Sequence, residues 1–254
     1  MFNRVRFFTA FSLVLVLALS VAMVGMAAEE KPTYTFATEA AWAPWDYYNE
    51  AGDLVGIDID IIREIAKVED FNVKFTVMSW GSLIPAVKMG KADMTGGGMS
   101  ITPKREEQVD FTDPYWYTKM AVLVREDSDL NIFSAMTKGA KISNQSNTTG
   151  AEWVKANLIE KGYDLKQILY ETYPQATQAL TAGKVDACVQ DETSAERMVK
   201  KGQAVKIVGV FKTGEAYGYA VKEGDEELLN LLNDGIKKLK DSGKFDQIID
   251  EYLG

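Results

Sequence analysis

Two stretches decide the fold: Ala86-Val87-Lys88-Met89-Gly90-Lys91-Ala92-Asp93-Met94 and Ala179-Leu180-Thr181-Ala182-Gly183-Lys184-Val185-Asp186-Ala187. Each reads as a helix end, a glycine suited to a left-handed cap, a short turn and the start of a strand. Two α/β units of similar size follow if the stretches are a repeat. Convergence of two unrelated segments on the same turn chemistry is the other reading.

Outward from these stretches, short apolar runs alternate with helical spacing. Tyr34–Thr38, Val73–Val77, Ala92–Thr95, Ala121–Val124, Lys141–Ser143, Val185–Val189 and Val205–Val208 read as strands. Ile59, Ile62, Ile65 and Ala66 recur at helical spacing, as do residues in Leu83–Met89, Glu152–Lys161, Tyr173–Thr181, Leu228–Ser242 and Phe245–Leu253. Strands alternating with helices predict an α/β fold with mostly parallel sheets. In such sheets ligands sit beyond the carboxyl ends of the strands. Gly96–Thr102 and Gln190–Ser194 are therefore the segments to search.

Composition narrows the function. The 254 residues are 46% hydrophobic, enough for a sizeable core, and carry a formal charge of -9. Residues 1–28 hold Arg4 and Arg6 and no acids, so the remainder carries -11 and offers no basic stripe for nucleic acid. There is no histidine, so a histidine-based nucleophile is impossible and a zinc site is improbable. No catalytic residue, metal or cofactor is assigned. The one cysteine, Cys188, lies in an apolar run and reads as a small buried hydrophobe. Residues 1–28 read as a signal peptide for export to the periplasm: a basic start, the apolar run Leu13–Leu19, and small residues Gly25, Ala27 and Ala28 before Glu29. An uncleaved anchor is the alternative.

Three groups could carry chemistry. Gly96-Gly97-Gly98-Met99-Ser100-Ile101-Thr102-Pro103-Lys104-Arg105 combines glycines that admit close backbone approach with two hydroxyls. Thr102 is placed to cap a helix beginning at Pro103. Arg105 offers a planar fork that matches a carboxylate, or else pairs on the surface with Glu106 or Glu107. The aromatics Trp42, Trp45, Tyr47, Tyr48 and Trp80 could sandwich a ligand or simply fill the core. Asp191 and Glu192, at a strand's carboxyl end, could receive an ammonium group or lie solvated.

The segment Gly56-Ile57-Asp58-Ile59-Asp60, followed by Ile65-Ala66, resembles the signature of the polar-amino-acid family of bacterial extracellular solute-binding proteins. The likeness runs from about Tyr34 to Gly254. Supporting motifs are Trp80–Ala86, Ser100–Arg105, Val109–Tyr115, Gly183–Ala187, Tyr217-Gly218 and Ser242–Asp246. The resemblance implies a two-lobe periplasmic-binding-protein fold, each lobe a mostly parallel sheet flanked by helices. Lobe 1 would span 29–115 and 217–254, lobe 2 120–212, with hinges at about 115–119 and 213–217. It further implies that Arg105 grips a ligand carboxylate with help from Gly98, Ser100 and Thr149, and that Asp191 takes the ammonium. Trp42 and Trp80 would flank the ligand side chain, and Glu39 and Gln145 would read it. Asn147 stands where a glycine is common.

The implied partners are a free L-amino acid (arginine, lysine, histidine or glutamine) and the permease of an ABC importer, with the protein a monomer. Two other classes stay open. One is an enzyme resembling cyclohexadienyl or arogenate dehydratases, and the other is a ligand-carrying partner of a chemoreceptor.

Overall fold

The two glycine turns occupy equivalent places in two sheets, and an aspartate in each explains why. In the computed structural model, which describes residues 30–137 and 139–254, Asp93 accepts a hydrogen bond from the Thr35 amide (2.6 Å). Asp186 accepts one from the Lys141 amide (2.8 Å). Each aspartate's own amide returns a bond to the same strand residue, Thr35 O at 3.0 Å and Lys141 O at 2.8 Å. Gly90 and Gly183 both take left-handed backbone, at φ 67° and 69°. The repeated turn thus ties the end of a helix to the central strand of the parallel trio in its sheet, Thr33–Thr38 in one and Ala140–Gln145 in the other, a role that turn chemistry alone does not require. The proposed signal segment, residues 1–28, lies outside the described residues.

The chain runs β1 (Thr33–Thr38), a small sheet of β2 (Ala41–Trp42), β3 (Asp46–Tyr48) and β4 (Leu54–Val55), then α1 (Ile57–Val68), β5 (Asn72–Val77), α2 (Leu83–Lys88), β6 (Met94–Thr95), α3 (Pro103–Glu106) and β7 (Val109–Phe111). It continues through β8 (Trp116–Tyr117), β9 (Met120–Arg125), α4 (Ile132–Ala135), β10 (Ala140–Gln145), α5 (Thr149–Val154), β11 (Leu165–Tyr170), α6 (Tyr173–Thr181), β12 (Ala187–Asp191), α7 (Glu192–Lys200) and β13 (Val205–Phe211). It returns through β14 (Ala216–Tyr217) and β15 (Ala220–Lys222) and ends with α8 (Glu226–Asp241) and α9 (Lys244–Leu253).

Two five-stranded sheets result, in the orders β5-β1-β6-β15-β7 and β11-β10-β12-β9-β13. In each, four strands run in one direction and one, β15 or β9, runs antiparallel between two of them. The antiparallel strand beside the parallel trio is in each case the strand that follows a crossing between the sheets: β9 after β8, and β15 after β14. β8 and β14 pair with each other, Tyr117 opposite Ala216 and Trp116 opposite Tyr217. This is a two-lobe α/β fold.

Both faces of each sheet are covered, which is why the central strands read as unbroken apolar runs. In β9, Met120, Val122 and Val124 face one cluster with Ala135, Ile142 and Val154. Ala121 and Leu123, pointing the opposite way at the period of two, join Ala176, Leu180, Ala195 and Cys188. In the first lobe α1 packs with α8 and α9 on one face, while Leu83, Ala86 and Val87 of α2 cover the other. Cys188 is buried as a small hydrophobe, and burial pushes its thiol up to about 11.

Several boundaries differ from the sequence reading. The strands expected at Ala92–Thr95 and Val185–Val189 begin only at Met94 and Ala187, because Asp93 and Asp186 are engaged in the turn. The helix expected at Glu152–Lys161 starts at Thr149 and widens to a π-type turn over Lys155–Ile159. β11 and α7 lie beyond the elements expected from the sequence: β11 mixes half-buried and exposed positions, and α7 is amphipathic but mostly polar. Among the described residues, no helix is long and apolar enough to cross a membrane.

Candidate functional site

The first strand delivers Glu39 to the bottom of a cleft. Just beyond β1 the chain turns through Ala40, at φ 60°, and a buried carboxylate holds that turn. Asp46 Oδ2 accepts from the Thr38 hydroxyl and from the amides of Glu39 (3.1 Å) and Ala40 (3.2 Å). Burial pushes Asp46 up to about 8 despite these donors. Nothing in the sequence marks Asp46, since an isolated aspartate between aromatics has no periodic signature.

The Gly96–Thr102 loop is anchored from below by the signature helix. Asp58 Oδ2 accepts from the Gly97 amide (2.9 Å), the Gly98 amide (2.7 Å) and the Tyr115 hydroxyl (2.8 Å), and Oδ1 accepts from the Tyr219 hydroxyl (2.9 Å). The second signature acid, Asp60, meets the Tyr252 hydroxyl (2.5 Å) and Arg63 (3.0 Å). Gly97 must be glycine: it has φ 93°, and a Cβ there would lie 2.6 Å from Asp46 Oδ2. Thr102 caps α3 as the sequence predicts, accepting from the Arg105 amide at 3.3 Å, with Pro103 opening the helix.

Arg105 is half-buried and pairs with neither Glu106 nor Glu107. Its Nη1 donates to Ser100 O (2.7 Å), its Nη2 to Asn147 O (3.3 Å), and its guanidinium lies 5.4 Å from the Trp80 ring centre. Burial lowers its pKa from the ordinary arginine value, while Glu152, Glu215 and Asp191 oppose that shift.

The second lobe supplies the opposite charge. Asp191 ends β12, is buried, and accepts from the Tyr217 hydroxyl. Desolvation raises it to about 7; Glu215 adds to the rise, while Tyr217 and Arg105 oppose it. Glu215 itself accepts from the Ser100 hydroxyl at 2.8 Å. Gln145 ends β10 and donates from Nε2 to both oxygens of Glu39, at 2.8 and 2.9 Å, across the cleft. Burial raises Glu39, and the bonds from Gln145 and the Trp80 amide (3.3 Å) pull it back.

One cavity gathers these groups. It is narrow and is lined by Glu39, Trp42, Trp80, Gly98, Ser100, Arg105, Gln145, Thr149 and Asp191, all nine residues singled out in the sequence. Two further residues line it that the sequence reading missed, Thr148 and Tyr173. Tyr173 stacks on Trp42 with ring centres 4.3 Å apart and donates to Thr148 Oγ1 (3.3 Å). A signal for Tyr173 is present: the repeat spacing from Ala86 to Ala179, 93 residues, carries Trp80 onto Tyr173 and Gly98 onto Asp191.

Two sequence groups are split by the structure. Glu192 does not face the cavity with Asp191, because it heads α7 and pairs with Lys119 at 2.8 Å. Of the aromatic group, Trp42 and Trp80 line the cavity, whereas Trp45 is wholly buried against Trp116 and Tyr217, and Tyr47 and Tyr48 line a separate groove on the flank.

Two α/β lobes meeting over a charged, aromatic-walled cavity define a protein that encloses a small polar solute. The chain belongs to the bacterial extracellular solute-binding proteins, family 3, whose model matches residues 34–254. It is 33% identical to an L-arginine-binding protein of Pseudomonas aeruginosa over 245 residues, 93% of each chain. It is 30% identical to a histidine-binding periplasmic protein of Salmonella typhimurium over 254 residues, 96% of each chain. Among solved structures it matches an ancestral arginine-binding protein bound to arginine, with a TM-score of 0.83 and 36% identity, covering 89% of this chain and all of that one.

Proposed function

We propose that this protein binds a free, cationic L-amino acid, arginine foremost, in the periplasm and delivers it to an ABC importer. The observation that carries this reading is the charge inventory of one cavity. Arg105 is its one lining cation, and Glu39 and Asp191 are its two carboxylates. A ligand with one carboxylate, one α-ammonium and a cationic side chain neutralises that set. Arg105, with Ser100, Gly98 and Thr149, takes the carboxylate. Asp191 takes the α-ammonium. Glu39 and Gln145 take the side-chain cation, with Trp42, Trp80 and Tyr173 as walls. Lysine, histidine and glutamine fit the same scheme less fully.

Arg105 comes from the first lobe and Asp191 from the second, so neither lobe alone carries both charge partners. The paired strands β8 and β14, within 115–119 and 213–217, serve as the hinge between 29–115 with 217–254 and 120–212. The protein acts as a monomeric binder, not an enzyme. Thermal-shift screening of the mature protein against the twenty L-amino acids tests this. A ligand at about 100–1,000 times its dissociation constant stabilises by roughly 3–4 kcal/mol. The largest shift is expected from L-arginine; no shift from any of the twenty would refute the reading.

A second reading rests on Glu39, which burial keeps more readily protonated than an exposed glutamate. A buried protonated carboxyl can serve as a general acid in a dehydratase. Turnover of prephenate or arogenate by the purified protein would establish it, and its absence together with tight arginine binding would dismiss it.

A further inference from the structure

Asn147 touches the cleft without lining the cavity. It sits at the tip of the turn between β10 and α5, exposed, with a left-handed backbone at φ 61°. Its carbonyl oxygen accepts from two first-lobe side chains at once, Trp80 Nε1 at 3.0 Å and Arg105 Nη2 at 3.3 Å. Its side chain lies over Gly81, where a Cβ would come within 3.0 Å of Asn147 Nδ2. Asn147 therefore borders the two grooves that flank the cavity mouth, both of which also include Trp80 and Gly81.

The geometry points to Asn147 as the closure latch of this protein, a positioning residue that acts on the ligand through Arg105 and Trp80. The inference rests on the proposed role of Arg105. With the lobes together, one second-lobe carbonyl holds the Arg105 fork and the Trp80 indole. Arg105 Nη1 is already held by Ser100 O, so the Asn147 bond adds a second restraint on the guanidinium plane. With the lobes apart, that second restraint is gone. Closure and the binding-ready orientation of Arg105 are then one event.

The latch makes two demands on sequence. Position 147 needs a residue that tolerates left-handed backbone, which asparagine and glycine do and β-branched residues do not. Position 81 needs no side chain, because the latch rests there. Asparagine at 147 can thus stand in for a glycine for a reason of backbone, not of side-chain recognition.

The test compares Asn147→Val, Asn147→Gly and Gly81→Val in the mature protein. Folding is checked by circular dichroism. Closure is followed by small-angle scattering in an equimolar mixture of the twenty L-amino acids, and affinity by calorimetry with L-arginine. Asn147→Val is expected to weaken binding by about five- to thirtyfold, because a turn relieved of about 1–2 kcal/mol of left-handed strain moves the carbonyl that Arg105 and Trp80 share. It is also expected to blunt the fall in radius of gyration. Asn147→Gly is expected to restore most of both. Gly81→Val, unstrained and exposed in the other lobe, is expected to reproduce the loss. A merely structural role for Asn147 predicts no effect of Gly81→Val on closure. If the parent binds and closes, and both valine variants do the same within about threefold, the latch is overturned while the function stands. A parent that neither binds nor closes overturns both.

Discussion

The two lobes share a sheet order and a helix–glycine–aspartate turn, yet they present different chemistry at corresponding places. In the first lobe, the strand after the turn, β6, leads into a glycine loop and then Arg105. In the second, β12 runs on to Asp191, the position that the repeat spacing sets against Gly98. Where the first lobe has a bare glycine backbone, the second places a carboxylate. On the proposed binding scheme, this difference lets two similar frames divide the charges of one zwitterion. Each lobe keeps the frame and specialises the residues beyond its strand ends, so neither lobe is a complete site.

The largest expected effect comes from removing one side of this division. Arg105→Ala or Asp191→Ala leaves the opposite ligand charge enclosed without a partner. Truncating one member of a buried charge pair costs roughly 3–5 kcal/mol. Affinity for L-arginine is expected to fall by about 100- to several-thousand-fold. Calorimetric titration measures it, with circular dichroism as the check on folding. Folded variants that bind within about threefold would show that the two lobes do not divide the ligand charges in this way.

Next in size is removal of charge at constant shape. Glu39→Gln is expected to weaken L-arginine by about ten- to a hundredfold, in the range of a hydrogen bond to a charged group, and L-glutamine far less. Equal losses for both would mean that Glu39 supports the turn after β1 without reading the ligand.

The lobes also differ in how they titrate. Asp191, raised to about 7 where the lobes are together, is largely protonated there below that pH when no cation is enclosed, whereas Arg105 stays charged. An ammonium ligand needs the ionised carboxylate, so binding below about 7 releases a proton. Affinity is expected to fall as pH drops through 7, by up to about tenfold per unit, and Asp191→Asn should lose that dependence. For folding the sign is reversed. The raised carboxylates Asp46 (about 8), Asp58 (about 6) and Asp191 hold protons that the unfolded chain has already lost. Ligand-free stability should therefore decline as pH rises from about 4 towards 8, and Asp46→Asn should flatten the upper part of that decline. Denaturant titrations across this range decide it.

The smallest effect belongs to the cross-lobe ion pair outside the cavity. Lys104 and Glu152 lie 2.5 Å apart, but their side chains are 73% and 53% exposed. Lys104→Ala is expected to change L-arginine affinity by less than about threefold, as exposed pairs contribute little. A larger loss would move part of the closure energy from the cavity to its rim.

Much of this molecule is legible in its amino-acid sequence. The helix Tyr173–Thr181, the cap Thr102–Pro103 and the burial of Cys188 follow from local chemistry, because caps, turns and periodic apolar faces act over a few residues. The nine cavity residues are reached through family motifs, not through spacing alone. On spacing, a surface pair with Glu106 or Glu107 is the stronger reading of Arg105, and Asp191 cannot be told from Glu192.

By itself the sequence determined the class of fold, the turn repeat and the kinds of charge available, since these depend on patterns within one segment. Only the tertiary structure decided which groups meet. It turned Glu192 away to Lys119 and Trp45 into the core. It also set Asp58 beneath Gly97 and Gly98, Asp46 beneath Glu39, and the Asn147 carbonyl against Arg105. The reason is physical: each of these contacts joins residues from separate elements. A single buried hydrogen bond or charge pair leaves no periodic trace in the sequence that creates it.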